Sequence, residues 1–193
     1  MEVFVVMFLM AILTTLVLAN YHGFNRIGAL ERGAQLVALL LRDAESRAIS
    51  VRATSGAFKR SFGLHIDKDL NSRRYIIFAD VNDSNFFESA SDATLDARLL
   101  DPQVRVSRLC ANLKGTSAKV PPLSPNCDYS QLSITFARPS PTVTVFGKVG
   151  VSPAGDLEQG DFEIELETND TLIKRCVVVW TTGAVSIESN KCL

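Results

Sequence analysis

The chain has 193 residues, a formal net charge of -1 at pH 7 and 47% hydrophobic residues, which leaves room for one membrane segment and one domain of ordinary size. That charge balance lacks the basic footprint of a nucleic-acid binder. The two histidines, His22 and His65, lie far from the four cysteines, none of which is in a C-x-x-C pair, so a clustered zinc site is not indicated.

The chain opens on MEVFVVMFLMAILTTLVLANY, residues 1–21, in which Val3 to Ala19 carries no charge. Those residues span about 25 Å as a helix, slightly short of a hydrocarbon core of about 30 Å. A cleaved signal peptide would start with basic residues and end at a small-x-small site. No basic start is present, and the segment runs on into NYHGFNRIGALERGAQLVALLLRDAESRAISV as one continuing helix. In that second half Ile27, Leu30, Ala34, Val37, Leu41, Ala44, Ala48 and Val51 recur at spacings of three and four, one stripe of a helix. Arg32, Arg42, Glu45 and Arg47 fall largely off it. The stripe predicts packing on the domain's own sheet, with alanines admitting a close approach. The helix should end before ATSGAF, where Gly56 can take a left-handed turn.

From there the chain reads as strands: Phe58–Ile66, Arg74–Val81, Gln103–Leu109, Leu132–Ala137, Thr142–Val149, Asp161–Glu167, Ile173–Trp180 and Val185–Glu188. FEIELE sets Phe162, Ile164 and Leu166 on one face and glutamates on the other. The proline-rich GTSAKVPPLSPNCD is a loop. The fold class is therefore α+β: a long N-terminal helix, transmembrane in its first half, packed on an antiparallel β-sheet domain. The division is 1–21 for the transmembrane half, 22–52 for the amphipathic half and 53–193 for the β domain.

DVNDSNFFESASD offers Asp80, Asn82, Ser84 and Glu88, with Asp83 and Asp92 nearby, as oxygen ligands for calcium. Against the EF-hand template, Asn85 stands where glycine is needed and Ser91 where the bidentate glutamate belongs, so the stretch reads first as a polar turn between strands. No G-x-S-x-G, phosphate-binding glycine loop or H-E-x-x-H is present. His65, in the alternating strand FGLHID, reads as a surface or partly buried strand residue, so neither an enzyme nor a cofactor is indicated. Arg73, Arg74, Lys59 and Arg60 could form a small basic patch, and the tail TTGAVSIESNKCL carries only Lys191, opposed by Glu188. Non-specific DNA affinity needs several phosphate contacts, so these residues read as a solvated face. The cysteines read as two disulfides in an oxidising compartment. Of the three pairings that four cysteines allow, Cys110–Cys127 and Cys176–Cys192 are favoured, because each closes a short loop beside a strand.

The opening helix resembles that of type IV pilins and pseudopilins, in which a basic leader is cut by a prepilin peptidase ahead of a start such as Phe-Thr-Leu-x-Glu and an unbroken apolar run. Glu2 takes the place of that family's glutamate. RRYIIFADVNDSN, residues 73–85, ARLLDPQVRVSRL and CVVVWTTGAVSI resemble strands of the GspH/FimT-type minor pseudopilins, so that the likeness covers nearly all the chain. One departure is LANY, with Ala19 where many pilins have proline. The resemblance implies a leader and a few mature residues before Met1, which lengthens the apolar run to about 20. It also resolves a conflict over orientation. Arg26 and Arg32 follow the apolar run, which alone would keep the domain in the cytoplasm, whereas the cysteines favour export.

What the resemblance implies is a minor pseudopilin of a type II secretion system, or a minor pilin at a type IV pilus tip, in the bacterial inner membrane with its C-terminal domain in the periplasm or outside. The start would be processed and methylated. Partners would be other pilin subunits, through the N-terminal helix, together with the membrane and the peptidase. Glu2 would pair with a neighbour's N-terminal amine, since an unpaired carboxylate at membrane depth is costly. Two alternatives stay open: a DNA-binding minor pilin of competence, and a single-pass membrane protein with a periplasmic ligand-binding domain.

Overall fold

The computed structural model describes residues 2–50, 61–113, 127, 129–137, 142–150, 155–156, 160–170, 173–180 and 182–189. Helix α1, Glu2–Ile49, is continuous over 48 residues, about 72 Å of helix. It passes through Ala19 without interruption, consistent with the absence of a proline there.

The two halves of α1 meet different surroundings. In the first half an 18-residue window has a mean hydropathy of 2.5 and none of it is buried. Its two hydroxyls are satisfied inside the helix, Thr14 Oγ1 donating to Met10 O and Thr15 Oγ1 to Ala11 O and Ile12 O. An apolar solvent demands that internal satisfaction. From Ala29 onward the predicted stripe is buried: Leu30, Ala34, Val37, Leu41, Ala44 and Ala48 all lie in the core. Ile27 remains 45% exposed, so the packed stripe starts one turn later than the spacing suggests, and Val51 lies outside the described residues.

The β domain is two antiparallel sheets rather than one. The first contains β1 Phe62–Asp67, β2 Arg74–Ala79, β3 Ala93–Leu99, β5 Gln131–Ala137, β6 Thr142–Lys148 and the short β7 Gly155–Asp156, in the order β3-β2-β1-β5-β6-β7. The second contains β4 Val104–Leu113, β8 Gly160–Thr168, β9 Lys174–Val179 and β10 Val185–Ser189, in the order β10-β9-β8-β4. A single turn of helix, α2 Lys68–Asn71, follows β1 and is capped by the Asp67 carboxylate, which accepts from Leu70 N at 2.8 Å.

The second half of α1 packs on both sheets, touching β1 and β5 of the first and β4, β8, β9 and β10 of the second. Their inner faces follow the period of two: Phe62, Leu64 and Ile66 on β1, Tyr75 and Ile77 on β2, Leu132, Ile134 and Phe136 on β5, and Phe162, Ile164 and Leu166 on β8 are buried. On β4 a register shift between Val106 and Arg108 turns the alternation by one residue, so Val104, Val106, Leu109 and Ala111 all face the core. Close approach is built in at Gly33, where a Cβ would lie 3.3 Å from Val104 Cγ1. Two ion pairs fasten the helix to the second sheet, Arg26 to Asp170 and Arg175 Nε to Glu31 Oε2 at 3.3 Å.

β3 and β7 have no counterpart in the sequence reading. β3 is an edge strand without a buried face, six of its seven residues pairing with β2, so ATLDARL shows no alternation to detect. Asp96 blunts that edge, accepting from the Ala97 amide at 2.8 Å and from Arg98 Nε at 2.9 Å.

Candidate functional site

Glu2 stands in the first turn of α1 and is exposed, as are Val3 at 70% and Phe4 at 79%. A carboxylate there complements the positive end of the helix dipole. The apolar half behind it is a side-chain surface that no described part of the chain covers.

The loop between β2 and β3 is an internally bonded turn. Asp80 is fully buried and accepts from Ser84 N at 3.2 Å, Asn85 N at 2.7 Å and Ser61 Oγ at 3.2 Å. Burial raises its pKa, and these hydrogen bonds oppose the rise. Asp92 accepts from Val81 N and Glu88 N, and Glu88 Oε2 accepts from Asn82 Nδ2 and Ser91 Oγ. Asp83 and Asn85 take left-handed backbone, with φ of 56° and 59°, a conformation that Asp and Asn tolerate through local hydrogen bonds. The oxygens considered as calcium ligands, those of Asp80, Asn82, Ser84 and Glu88, are thus engaged by the loop's own N–H and O–H groups. Among the described residues no group of three His, Cys, Asp or Glu side chains could hold a metal ion.

That loop carries two phenylalanines back onto the outer face of the first sheet. Phe87 packs on His65 at 5.0 Å and on Phe78 at 5.3 Å between ring centroids, and Phe86 meets His65 edge-on at 5.5 Å. His65 is therefore only 5% exposed, which corrects its reading as a surface or partly buried residue: the cover comes from a loop, which strand periodicity does not register. In the ladder His65 lies opposite Ile76 on β2 and Ser133 on β5. Ser133 Oγ lies 2.8 Å from His65 Nδ1 and accepts from Phe87 N at 3.2 Å. Burial lowers the His65 pKa to about 4, although Asp67 works the other way, so the ring is neutral at pH 7. Gly63 makes room for this second cluster, since a Cβ there would lie 2.8 Å from Phe78 Cε1 and 2.7 Å from Ile134 O.

Beside the cluster is a cleft of about 310 Å³ whose walls include His65, Arg74, Ile76, Phe87 and Thr94. A second hollow of about 420 Å³ lies where α1 meets the turn after β8, and its two charges, Arg26 and Asp170, pair with each other.

The arginines considered for DNA do not act together. Arg73 Nη2 donates to Leu100 O at 3.1 Å, whereas Arg74 is exposed beside the cleft. Lys59, Arg60 and Lys191 lie outside the described residues. Glutamates of β8 do take the face opposite Phe162, Ile164 and Leu166, yet Glu163, Glu165 and Glu167 are buried. Arg105 pairs with Glu167 at 2.7 Å and Lys174 with Glu165 at 2.7 Å. Burial alone would push the Glu165 carboxyl up; hydrogen bonds from Lys174 and Ser107, with the charges of Lys174 and Arg108, together outweigh it and hold the pKa below its ordinary value. Cys110 and Cys127 form a disulfide across 17 positions. Cys176 is also disulfide-bonded, and Cys192, the partner favoured for it, lies outside the described residues.

No protein-family model, curated protein or solved structure matches the chain.

Proposed function

We propose that the chain is a minor pseudopilin or minor pilin of the GspH/FimT type, a structural subunit of a type II secretion pseudopilus or of a type IV pilus tip. One observation carries this reading: a single continuous helix is apolar and unburied in its first half and a core element of a two-sheet domain in its second. Such a subunit is held by the inner membrane until the helix leaves the bilayer and is buried among neighbouring helices. The β domain then presents its surface in the periplasm or outside. The disulfide supports an exported domain. Prepilin peptidase and the neighbouring subunits are the partners in this reading, and nucleic acid is not one.

Glu2 is the residue that tests it. Glu2→Gln removes the charge and keeps the shape, and removing a charge lowers the cost of membrane insertion. If Glu2 pairs with a neighbour's N-terminal amine, the variant reaches the membrane at normal levels but is lost from sheared surface fibres, because an unpaired amine in an apolar medium is costly. Normal incorporation into fibres would leave Glu2 a headgroup-level residue and remove this mechanism. DNA binding by the full chain at physiological salt, lost on changing Arg73 and Arg74, would favour the competence alternative instead.

A further inference from the structure

The cleft on the outer face of the first sheet is separate from α1, and a ligand bound there would be independent of the pilin reading. Its polar groups are unevenly satisfied. The Asp67 carboxylate at its edge is occupied, one oxygen by Leu70 N at 2.8 Å and the other by Gln131 Nε2 at 2.8 Å. Arg74 lines the cleft, and its guanidinium has no ion pair or hydrogen bond among the described residues. His65 is nearly enclosed, yet of its two ring nitrogens only Nδ1 has a partner among the described residues. Ser133 is fully buried and accepts from the Phe87 amide, and among the described residues His65 Nδ1 is the one acceptor within reach of its hydroxyl proton, so that proton is directed to Nδ1. The neutral ring then carries its own proton on Nε2, a donor left free at the wall of the cleft. Thr94 adds a hydroxyl from β3, and Ile76 and Phe87 supply apolar surface.

We propose that this cleft binds a carboxylate joined to a short apolar group. Arg74 and His65 Nε2–H donate to the carboxylate, and the apolar part lies against Ile76 and Phe87. Arg74 is the one Lys or Arg among the described residues that line the cleft, which suits a monoanion better than a phosphate dianion, and the planar guanidinium fork matches a carboxylate. At about 310 Å³ the cleft is at the small end of ligand sites, room for a short organic acid or for the last residue of a peptide with its terminal carboxylate. Because the donor set leaves the acid's source open, the test separates the two.

The full chain in detergent micelles is titrated calorimetrically with hydrocinnamate, with its neutral amide, with the tripeptide Gly-Gly-Phe and with that tripeptide amidated at its C-terminus. Binding of the acid at roughly millimolar concentration, absent for the amide, is expected. Arg74→Gln should weaken it by about tenfold, the loss of a charge-assisted hydrogen bond, while Arg98→Gln, on the neighbouring edge strand, should leave it unchanged. If the free tripeptide also binds, the source is a peptide terminus; if only hydrocinnamate binds, it is a small free acid. Should Arg74→Gln lower the melting temperature, Thr94→Val is the variant that decides, with weakening expected there too. Silence of both acids, equal binding of acid and amide, or an affinity untouched in the well-folded variants would overturn the proposal.

Discussion

Two buried side chains make measurable demands on stability. Tyr75 is 1% exposed and its hydroxyl has no hydrogen-bond partner among the described residues; burial raises its pKa well above the phenol range. A hydroxyl removed from water without a partner costs about 1–3 kcal/mol, so Tyr75→Phe, which keeps the ring, should raise the unfolding free energy by about 1 kcal/mol in denaturant titrations. His65 acts through pH. Its folded pKa of about 4 lies below the unfolded value of about 6.5, so below that value the unfolded chain takes up a proton that the folded chain refuses. Stability should fall from about pH 6.5 downward and level off near pH 4, by on the order of 3 kcal/mol in total. Asp80 has the opposite sign: its raised pKa means that protonation favours the folded state. The measurement is therefore the difference between the parent and His65→Gln across that window, with the variant showing the flatter profile. Neither residue was fully legible in the sequence. Tyr75 lies on a strand that the sequence marks, Arg74–Val81, but the surroundings of its hydroxyl depend on atoms brought from elsewhere. His65 is covered by Phe86 and Phe87, whose place in a polar stretch disguises them as loop residues.

Among the elements, α1 was the most legible, because its signal repeats over many turns. Leu41 is fully buried and Leu39, two positions earlier, is 65% exposed. Leu41→Ala should cost about 2–5 kcal/mol, and Leu39→Ala should leave stability within about 0.5 kcal/mol, both read from thermal or denaturant unfolding of the full chain in detergent. Equal effects at the two positions would mean that the helix does not present the stripe assigned to it. The strands with an inward face were also legible, since Phe62, Leu64 and Ile66, or Phe162, Ile164 and Leu166, alternate with polar residues. β3 was not, because an edge strand with little burial has no face to mark it. The cleft was invisible for a related reason: its walls come from β1, β2, β3 and a returning loop, and adjacency across strands is set by register.

For the molecule as a whole, the division into two sheets is what the sequence does not announce. Alternation says which residues face inward but not which strands share a ladder. The Cys110–Cys127 disulfide holds the end of β4 to the segment leading into β5, joining the edge of one sheet to the approach of the other. On the chain-entropy estimate a loop of 17 residues contributes about 3 kcal/mol. Replacing both cysteines by serine should lower the unfolding free energy by about that amount, with little change in the disulfide of Cys176.

The pairing of β4 with β8 also has a bearing on the time course of folding. Val104 meets Thr168, and between them the chain lays down β5, β6 and β7, all of which belong to the other sheet. A chain delivered from its N-terminus must therefore hold β4 without its ladder partner while the first sheet assembles, since contacts so distant in sequence form late. During that interval the apolar side chains of β4 and the stripe of α1 meant for β8 and β9 are uncovered together. The Cys110–Cys127 bond, needing only residues already delivered, can close before β8 arrives. Oxidation then comes first and the second sheet last.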